Sequence, residues 1–198
     1  MTDLMSKTAL VTGGGTGIGF GIAAKLMEAN AQVTIAGRRE DVLEEAAERL
    51  DASVSSSGSI KIVCCDVTNA TAVRDAVEVA ANDKGTLDIA VANAGIGAGG
   101  PFLSMTDETL RSVLEVNVIG AFNTIQAAAG TMRSSGGSII AISSIAGALG
   151  GRFRAAYASS KAALDMLVRS AADELGGFGI RVNSIRPGVV ESEATSMM

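Results

Sequence analysis

Along the chain, short runs of β-branched and aliphatic residues alternate with longer stretches in which apolar residues recur at helical spacing. The runs Thr8–Val11, Gln32–Ala36, Ile60–Cys65, Leu87–Ala92, Ser138–Ile142 and Ile180–Ile185 predict six strands. Several are almost continuously apolar, as expected of strands covered on both faces, and the stretches between them supply the helical crossovers that parallel pairing requires. The pattern predicts an α/β protein: a doubly wound parallel sheet in three layers, with residues 1–198 forming a single unit. Two polar or glycine-rich stretches, 55–59 and 96–101, read as loops. Neither has the length of an interdomain linker.

One predicted helix opens at Thr106, a good N-cap, with Asp107 and Glu108 in its first turn. Its apolar stripe runs Leu110, Val113, Leu114, Asn117, Val118, Ala121, which sets an amide on the buried face. An unpaired buried amide costs about 1–3 kcal/mol, so Asn117 needs polar neighbours. Two readings fit it: a member of a polar site, or a brace for a helix kink.

Composition removes whole classes of function. The chain has no histidine, which excludes Ser-His-Asp and Cys-His nucleophilic machinery and the commonest zinc ligand. Its net charge of −5 and scattered basic residues argue against a nucleic-acid surface. No apolar run reaches the roughly 18 residues of a membrane span, and residues 1–7 lack the layout of a secretory signal. The expectation is a soluble cytoplasmic protein without nucleic-acid or membrane partners. Cys64 and Cys65 are adjacent in a predicted strand, where their side chains diverge, and are expected to be reduced core residues.

Candidate chemistry begins at the first strand-to-helix junction, Thr12-Gly13-Gly14-Gly15-Thr16-Gly17-Ile18-Gly19. Glycines there let the backbone turn sharply and approach a pyrophosphate whose charge meets a helix N-terminus. After the second strand, the slot where NAD-binding proteins normally keep an acidic residue holds Gly37, followed by Arg38. A guanidinium suits a 2′-phosphate, which favours NADP(H) over NAD(H). The competing reading pairs the arginines with Glu40 or Asp41 on the surface. Asp66, past the third strand in Cys65-Asp66-Val67-Thr68, is placed to accept from an adenine amino group, to cap the helix starting near Asn69, or both. Asn93-Ala94-Gly95 follows the fourth strand at the expected reversal of strand order, with Asn93 read as stabilising the sheet or turn.

Ser143 and Ser144 end the fifth strand at the carboxyl edge of the sheet, one suited to a substrate carbonyl and the other to backbone groups. Tyr157 and Lys161 are four apart on a predicted helix and share a face. A nearby cation favours a phenolate and so suits a tyrosine to proton transfer, though the same spacing also lines ordinary helix surfaces.

Together these motifs resemble the short-chain dehydrogenase/reductase family. Thr12–Gly19 is similar to its T-G-x-x-x-G-x-G loop, Asn93–Gly95 to its N-A-G motif, Tyr157 to Lys161 to its Y-x-x-x-K pair, and Pro187-Gly188 to its P-G turn. Ser144 lies 13 residues before Tyr157, the family's spacing for the catalytic serine, and Asn117 matches its catalytic asparagine. The resemblance implies a Rossmann fold and hydride transfer between a nicotinamide cofactor and a carbonyl or alcohol carbon. It implies Tyr157 as general acid/base, Ser144 holding the substrate oxygen, Lys161 binding the nicotinamide ribose, and Asn117 positioning a water on a proton path. It places Gly13, Thr16, Gly17, Ile18, Gly19, Arg38, Asp66, Val67, Asn93, Ala94, Gly95, Tyr157, Lys161, Pro187, Gly188, Val190 and Ser192 around the cofactor, with no metal.

Ser192 stands where the family usually has threonine, keeping the hydroxyl. Family members usually continue for about another 50 residues as a substrate lid, a helix and a seventh strand. The sequence runs to Met198, so the lid and the residues that select a substrate are expected to be largely absent from it. The Tyr157 helix is apolar almost all round, which predicts burial on two sides and a homodimer or homotetramer through it and the Asn117 helix. A non-catalytic dinucleotide-binding scaffold or sensor is the rival to the enzyme.

Overall fold

The computed structural model describes residues 3–54, 57–81 and 85–190. Its sheet has six parallel strands, β1 (Thr8–Thr12), β2 (Gln32–Gly37), β3 (Ser59–Cys64), β4 (Ile89–Ala92), β5 (Gly137–Ile142) and β6 (Ile180–Ile185). They lie in the order β3-β2-β1-β4-β5-β6. All six predicted strands are present, with ends moved by up to two residues: Leu87 and Asp88 precede β4, and Cys65 follows β3.

β1 is buried along its whole length because helices cover both faces of the sheet. Leu10 joins one apolar cluster, with Val73, Ile125 and Leu164. Ala9 and Val11 join the opposite one, with Ala23, Met27 and Leu43. The first layer is therefore built by α3 (Ala70–Ala81), α5 (Ala121–Met132) and α7 (Ala155–Leu175), and the second by α1 (Gly17–Glu28) and α2 (Glu40–Ser53). Two short helices, α4 (Asp107–Leu114) and α6 (Ala146–Leu149), complete the set the site depends on. β1 pairs with β2 through Val11↔Ile35 and with β4 through Val11↔Val91, so the direction of winding reverses between β1 and β4. Ligand crevices of open α/β sheets form at such reversals, beyond the carboxyl ends of the strands.

Two expectations are corrected here. Cys64 is exposed at the edge strand, and only Cys65 is buried; both are free thiols. The helix opened by Thr106, whose hydroxyl accepts from the Thr109 amide at 3.1 Å, does not continue regularly. After α4 it widens into a π-helical turn over Glu115–Gly120, with Asn117 at its centre, before resuming as α5. Within one chain, α7 packs one face on the sheet, covering Leu164, Asp165 and Val168, while Ala162, Ala163 and Met166 on the other face are exposed.

Candidate active site

The loop from β1 to α1 needs backbone conformations that favour glycine: φ is +65° at Gly13 and +54° at Gly17. Gly19 is required by crowding, since a Cβ there would run into the Gly13 carbonyl oxygen and come within 2.6 Å of Asn93 Nδ2. The side chain of Thr16 caps nothing, and the first turn of α1 holds no acidic residue. The amides at this helix end are thus left for an anion. Loop and sheet are tied together by Asn93, whose Nδ2 donates to Thr12 O at 2.9 Å and Gly13 O at 3.1 Å. Thr12 Oγ1 accepts from the amides of Asn93 and Ala94 and donates to Val91 O. The turn-stabilising role expected of Asn93 is what the structure shows.

Beside this loop lies a cleft of about 190 Å³, lined among others by Gly13, Gly15, Thr16, Gly37, Arg38, Arg39, Cys65, Asp66, Val67, Ala94, Gly95 and Ile96. Arg38 and Arg39 are exposed, and among the described residues neither forms an ion pair. The surface pairing with Glu40 or Asp41 is not formed. Asp66 does not cap α3: Asn69 Oδ1 does, accepting from the amides of Thr71 and Ala72. Asp66 Oδ1 accepts instead from the amide and hydroxyl of Thr68. Those bonds, the backbone one foremost, hold its carboxyl below the usual range, with help from the charge of Arg38. Burial pushes the Cys65 thiol up to about 11, so this thiol is uncharged at neutral pH.

The second half of the site is set by α7. Tyr157 is half-buried and Lys161 only 5% exposed, on the face toward the sheet. Lys161 Nζ donates to Ile142 O at 2.7 Å and sits 5.7 Å from the centre of the Tyr157 ring. Burial depresses the Lys161 ammonium to about 8, against the opposing charge of Asp165.

Asn117, 1% exposed, is fully satisfied. Its Oδ1 accepts from Ile96 N at 2.8 Å, and its Nδ2 donates to Ile96 O and to Ser160 Oγ, each at 2.9 Å. Ser160 Oγ donates onward to Tyr157 O at 2.7 Å. The amide therefore joins the π-helical turn, the loop after Gly95 and the helix carrying Tyr157. It occupies both a polar site and a helix distortion, so the two sequence readings coincide.

The two serines both bond backbone groups but differ in burial. Ser143 is buried, and its hydroxyl donates to Lys161 O at 3.3 Å. Ser144 Oγ accepts from Ala146 N, which leaves its proton for another acceptor. Backbone bonds from Ser143 N to Ile185 O and from Ile145 N to Pro187 O bring Pro187-Gly188 alongside. α6 lies directly on α7, because a Cβ on Gly147 would stand 2.9 Å from Lys161 C and Ala162 N.

The residues named from the sequence thus fall at one edge of the sheet, with the glycine loop, Arg38 and Asp66 on one side of β1 and β4, and Ser144, Tyr157, Lys161 and Pro187 on the other. Val190 is exposed beyond β6, and Ser192 lies outside the described residues. Sequence reasoning missed Thr12, Ile96 and Ser160. Thr12 was legible as the residue opening the glycine loop, but the contacts of Ile96 and Ser160 depend on Asn117 and leave no sequence signal.

No helix among the described residues is long and apolar enough to cross a membrane, and none of their His, Cys, Asp and Glu clusters is suited to hold a metal. The sequence matches the family described as short chain dehydrogenase over residues 7–198. It is 37% identical over 193 residues to trans-4-hydroxycyclohexanecarboxylate dehydrogenase of Sinomonas cyclohexanicum, covering 96% of this chain and 74% of that protein. A short-chain type dehydrogenase/reductase structure from Mycobacterium ulcerans superposes with a TM-score of 0.95 at 38% identity, over 100% of this chain and 72% of that one. The structure of NAD⁺-bound xylitol dehydrogenase gives 0.88 at 33% identity, over 93% and 71%. A glycine loop locked by Asn93, a tyrosine–lysine pair on one helix and these likenesses together make the chain a member of the short-chain dehydrogenase/reductase family, an oxidoreductase of alcohol and carbonyl groups.

Proposed function

We propose that the protein transfers a hydride between NADP(H) and the carbonyl or alcohol carbon of a small substrate, with Tyr157 as general acid/base. The observation that carries this reading is the buried ammonium of Lys161. It forms no ion pair among the described residues, yet it is held beside the ring of the chain's only tyrosine. An unpaired buried cation is costly, and a working role beside a proton-transfer group accounts for its presence.

The residues fit a dinucleotide. Gly13, Gly17 and Gly19 leave no side chain in the way of a pyrophosphate, the amides of α1 face it, and Thr16, Ile18, Val67, Asn93, Ala94, Gly95, Pro187, Gly188 and Val190 complete the contacts we assign. When bound, the dinucleotide supplies or accepts the hydride. In reduction, Ser144 donates a hydrogen bond to the substrate oxygen and Tyr157 gives that oxygen a proton, so the carbonyl becomes an alcohol. In oxidation, Tyr157 takes the proton back. Lys161 would hold the nicotinamide ribose and sets a positive charge beside the phenol, while Asn117 fixes the Tyr157 helix against the loop after Gly95. Arg38 favours the 2′-phosphate of NADP(H), since no carboxylate ends β2. Xylitol dehydrogenase, a structural neighbour, is the case bound to NAD⁺, so both cofactors belong in the assay.

The exposed apolar residues Ile119, Phe122 and Met166 support association of copies through the Asn117 and Tyr157 helices. Light scattering checks this, and a monomer at micromolar concentration counts against it. For the activity, a panel of ketones and alcohols is assayed with NADP(H) and NAD(H). Tyr157→Phe is expected to lower kcat by at least about 100-fold with cofactor affinity kept; unchanged turnover would remove Tyr157 from the chemistry.

A further inference from the structure

Four residues past Lys161 on the same face of α7, Asp165 is 6% exposed. Arg186 Nε donates to its Oδ2 at 2.8 Å, while Oδ1 is buried with no hydrogen-bond partner. A buried acid that served packing alone would be expected to satisfy both oxygens. One lone pair set is instead left inside the helix–sheet layer that also buries the Lys161 ammonium. Arg186 stands at the junction of β6 with Pro187-Gly188, and its side chain is 40% exposed. One ion pair thus links the lysine helix to the turn that Ile145 holds by its backbone.

Few other charges compete for Lys161. From its own helix it meets Tyr157 and Asp165; Arg169, Asp173 and Glu174 are exposed and at least two turns away. β5, α5, α6 and the turn Gly176–Phe178 carry no ionisable side chain. The π-helical turn contributes only exposed Glu115. Asp107, Glu108 and Arg111 of α4 are exposed, the first and last paired with each other, and Arg181 of β6 is exposed.

We propose that Asp165 is a positioning residue for the Tyr157–Lys161 pair, holding Lys161 in its charged form, and that Arg186 sets how much of the Asp165 charge Lys161 feels. This rests on the reading of Lys161 as the cofactor-holding cation, but the coupling itself is measurable without cofactor. Asp165→Asn keeps the shape and an acceptor for Arg186 while removing the negative charge. Arg186→Met keeps the negative charge and removes its partner.

The Lys161 titration midpoint is read by NMR from the ¹³Cε shift of lysine-labelled protein, assigned with Lys161→Met, and thermal unfolding confirms that each variant is folded. Asp165→Asn is expected to lower the midpoint by about one pH unit, and Arg186→Met to raise it. Shifts in the same direction, or none, overturn the proposal, because a purely structural ion pair would not move the midpoint in opposite senses. The same variants in a Tyr157→Phe background are titrated with NADPH by the dinucleotide's own fluorescence. The alkaline loss of affinity should follow the NMR midpoints. NMR midpoints that move as stated while NADPH affinity ignores them would leave the charge coupling intact and overturn the assigned role of Lys161 at the cofactor.

Discussion

Asn117 Nδ2 donates to Ser160 Oγ at 2.9 Å across two helices, and the same amide closes a two-way bond with the backbone of Ile96. Removing it would leave the part-buried Ile96 N and O and the buried Ser160 hydroxyl to find other partners. Asn117→Ala is expected to destabilise the fold by about 2–3 kcal/mol, since each orphaned buried group costs about 1–3 kcal/mol and some relax toward one another. Thermal unfolding should fall by several degrees. Ser160→Ala, which removes one partner of three, should cost about 1 kcal/mol. Equal losses from the two would show that the Ile96 bonds contribute little.

Gly19 and Gly21, both in the first turns of α1, should respond oppositely to alanine. Gly19→Ala puts a methyl against Gly13 O and Asn93 Nδ2, so the loop must open. Dinucleotide affinity is expected to fall at least about tenfold, a loss of 1.4 kcal/mol or more. At Gly21 nothing lies within 4 Å of a new Cβ. Gly21→Ala should raise stability by up to about 1 kcal/mol through helix propensity alone, with binding unchanged. Dinucleotide fluorescence and a melting curve on each variant decide the matter.

Arg38 follows β2, forms no ion pair among the described residues, and lines the cleft that Asp66 shares. Arg38→Ala should weaken NADPH by about 10- to 100-fold, as expected for loss of a charge-assisted contact worth about 1.5–3 kcal/mol. NADH should change by less than about threefold. Equal losses would transfer the phosphate contact to another residue, with Arg39 the next to test.

Lys161 places a stability cost inside the site. Its ammonium titrates near 8 in the folded chain against an ordinary 10.5, a difference on the order of 3 kcal/mol. Because the folded value is the lower one, the cost is present in full below pH 8 and is relieved as pH rises from 8 toward 10.5. Lys161→Met should therefore make the cofactor-free protein more stable at pH 7, by about 1–3 kcal/mol after the lost bond to Ile142 O is counted. It should also lack this contribution to the alkaline rise in stability. Denaturant unfolding at pH 7 and pH 9.5 measures both. A variant less stable than the parent at pH 7 would show that packing around the lysine stem outweighs the buried charge.

The strands were readable because a sheet covered on both faces demands apolar runs, and the parallel order follows from the helices between them. Helix ends and continuity were less so. The stripe from Leu110 to Ala121 has no break, yet the backbone widens at Glu115–Gly120, where the side chain of Asn117 reaches the backbone of Ile96, a partner 21 residues away. Cys64 and Cys65 have the same local sequence context. What separates an exposed thiol from a buried one is that β3 forms the sheet edge.

By itself, the sequence determined which chemical groups were on hand and in what local geometry: glycines able to turn at Gly13 and Gly17, a phenol and an ammonium one helical turn apart, and an arginine where an acid usually stands. Those follow from backbone sterics and helix periodicity, which act between near neighbours. Tertiary structure alone decided that Asn93 would lock the glycine loop to β1, that Asn117 would join Ile96 to Ser160, and that Asp165 would meet Arg186 beside the buried Lys161. Each of these joins residues from about 20 to 80 positions apart, brought together by sheet order and the cost of leaving buried polar groups unpaired.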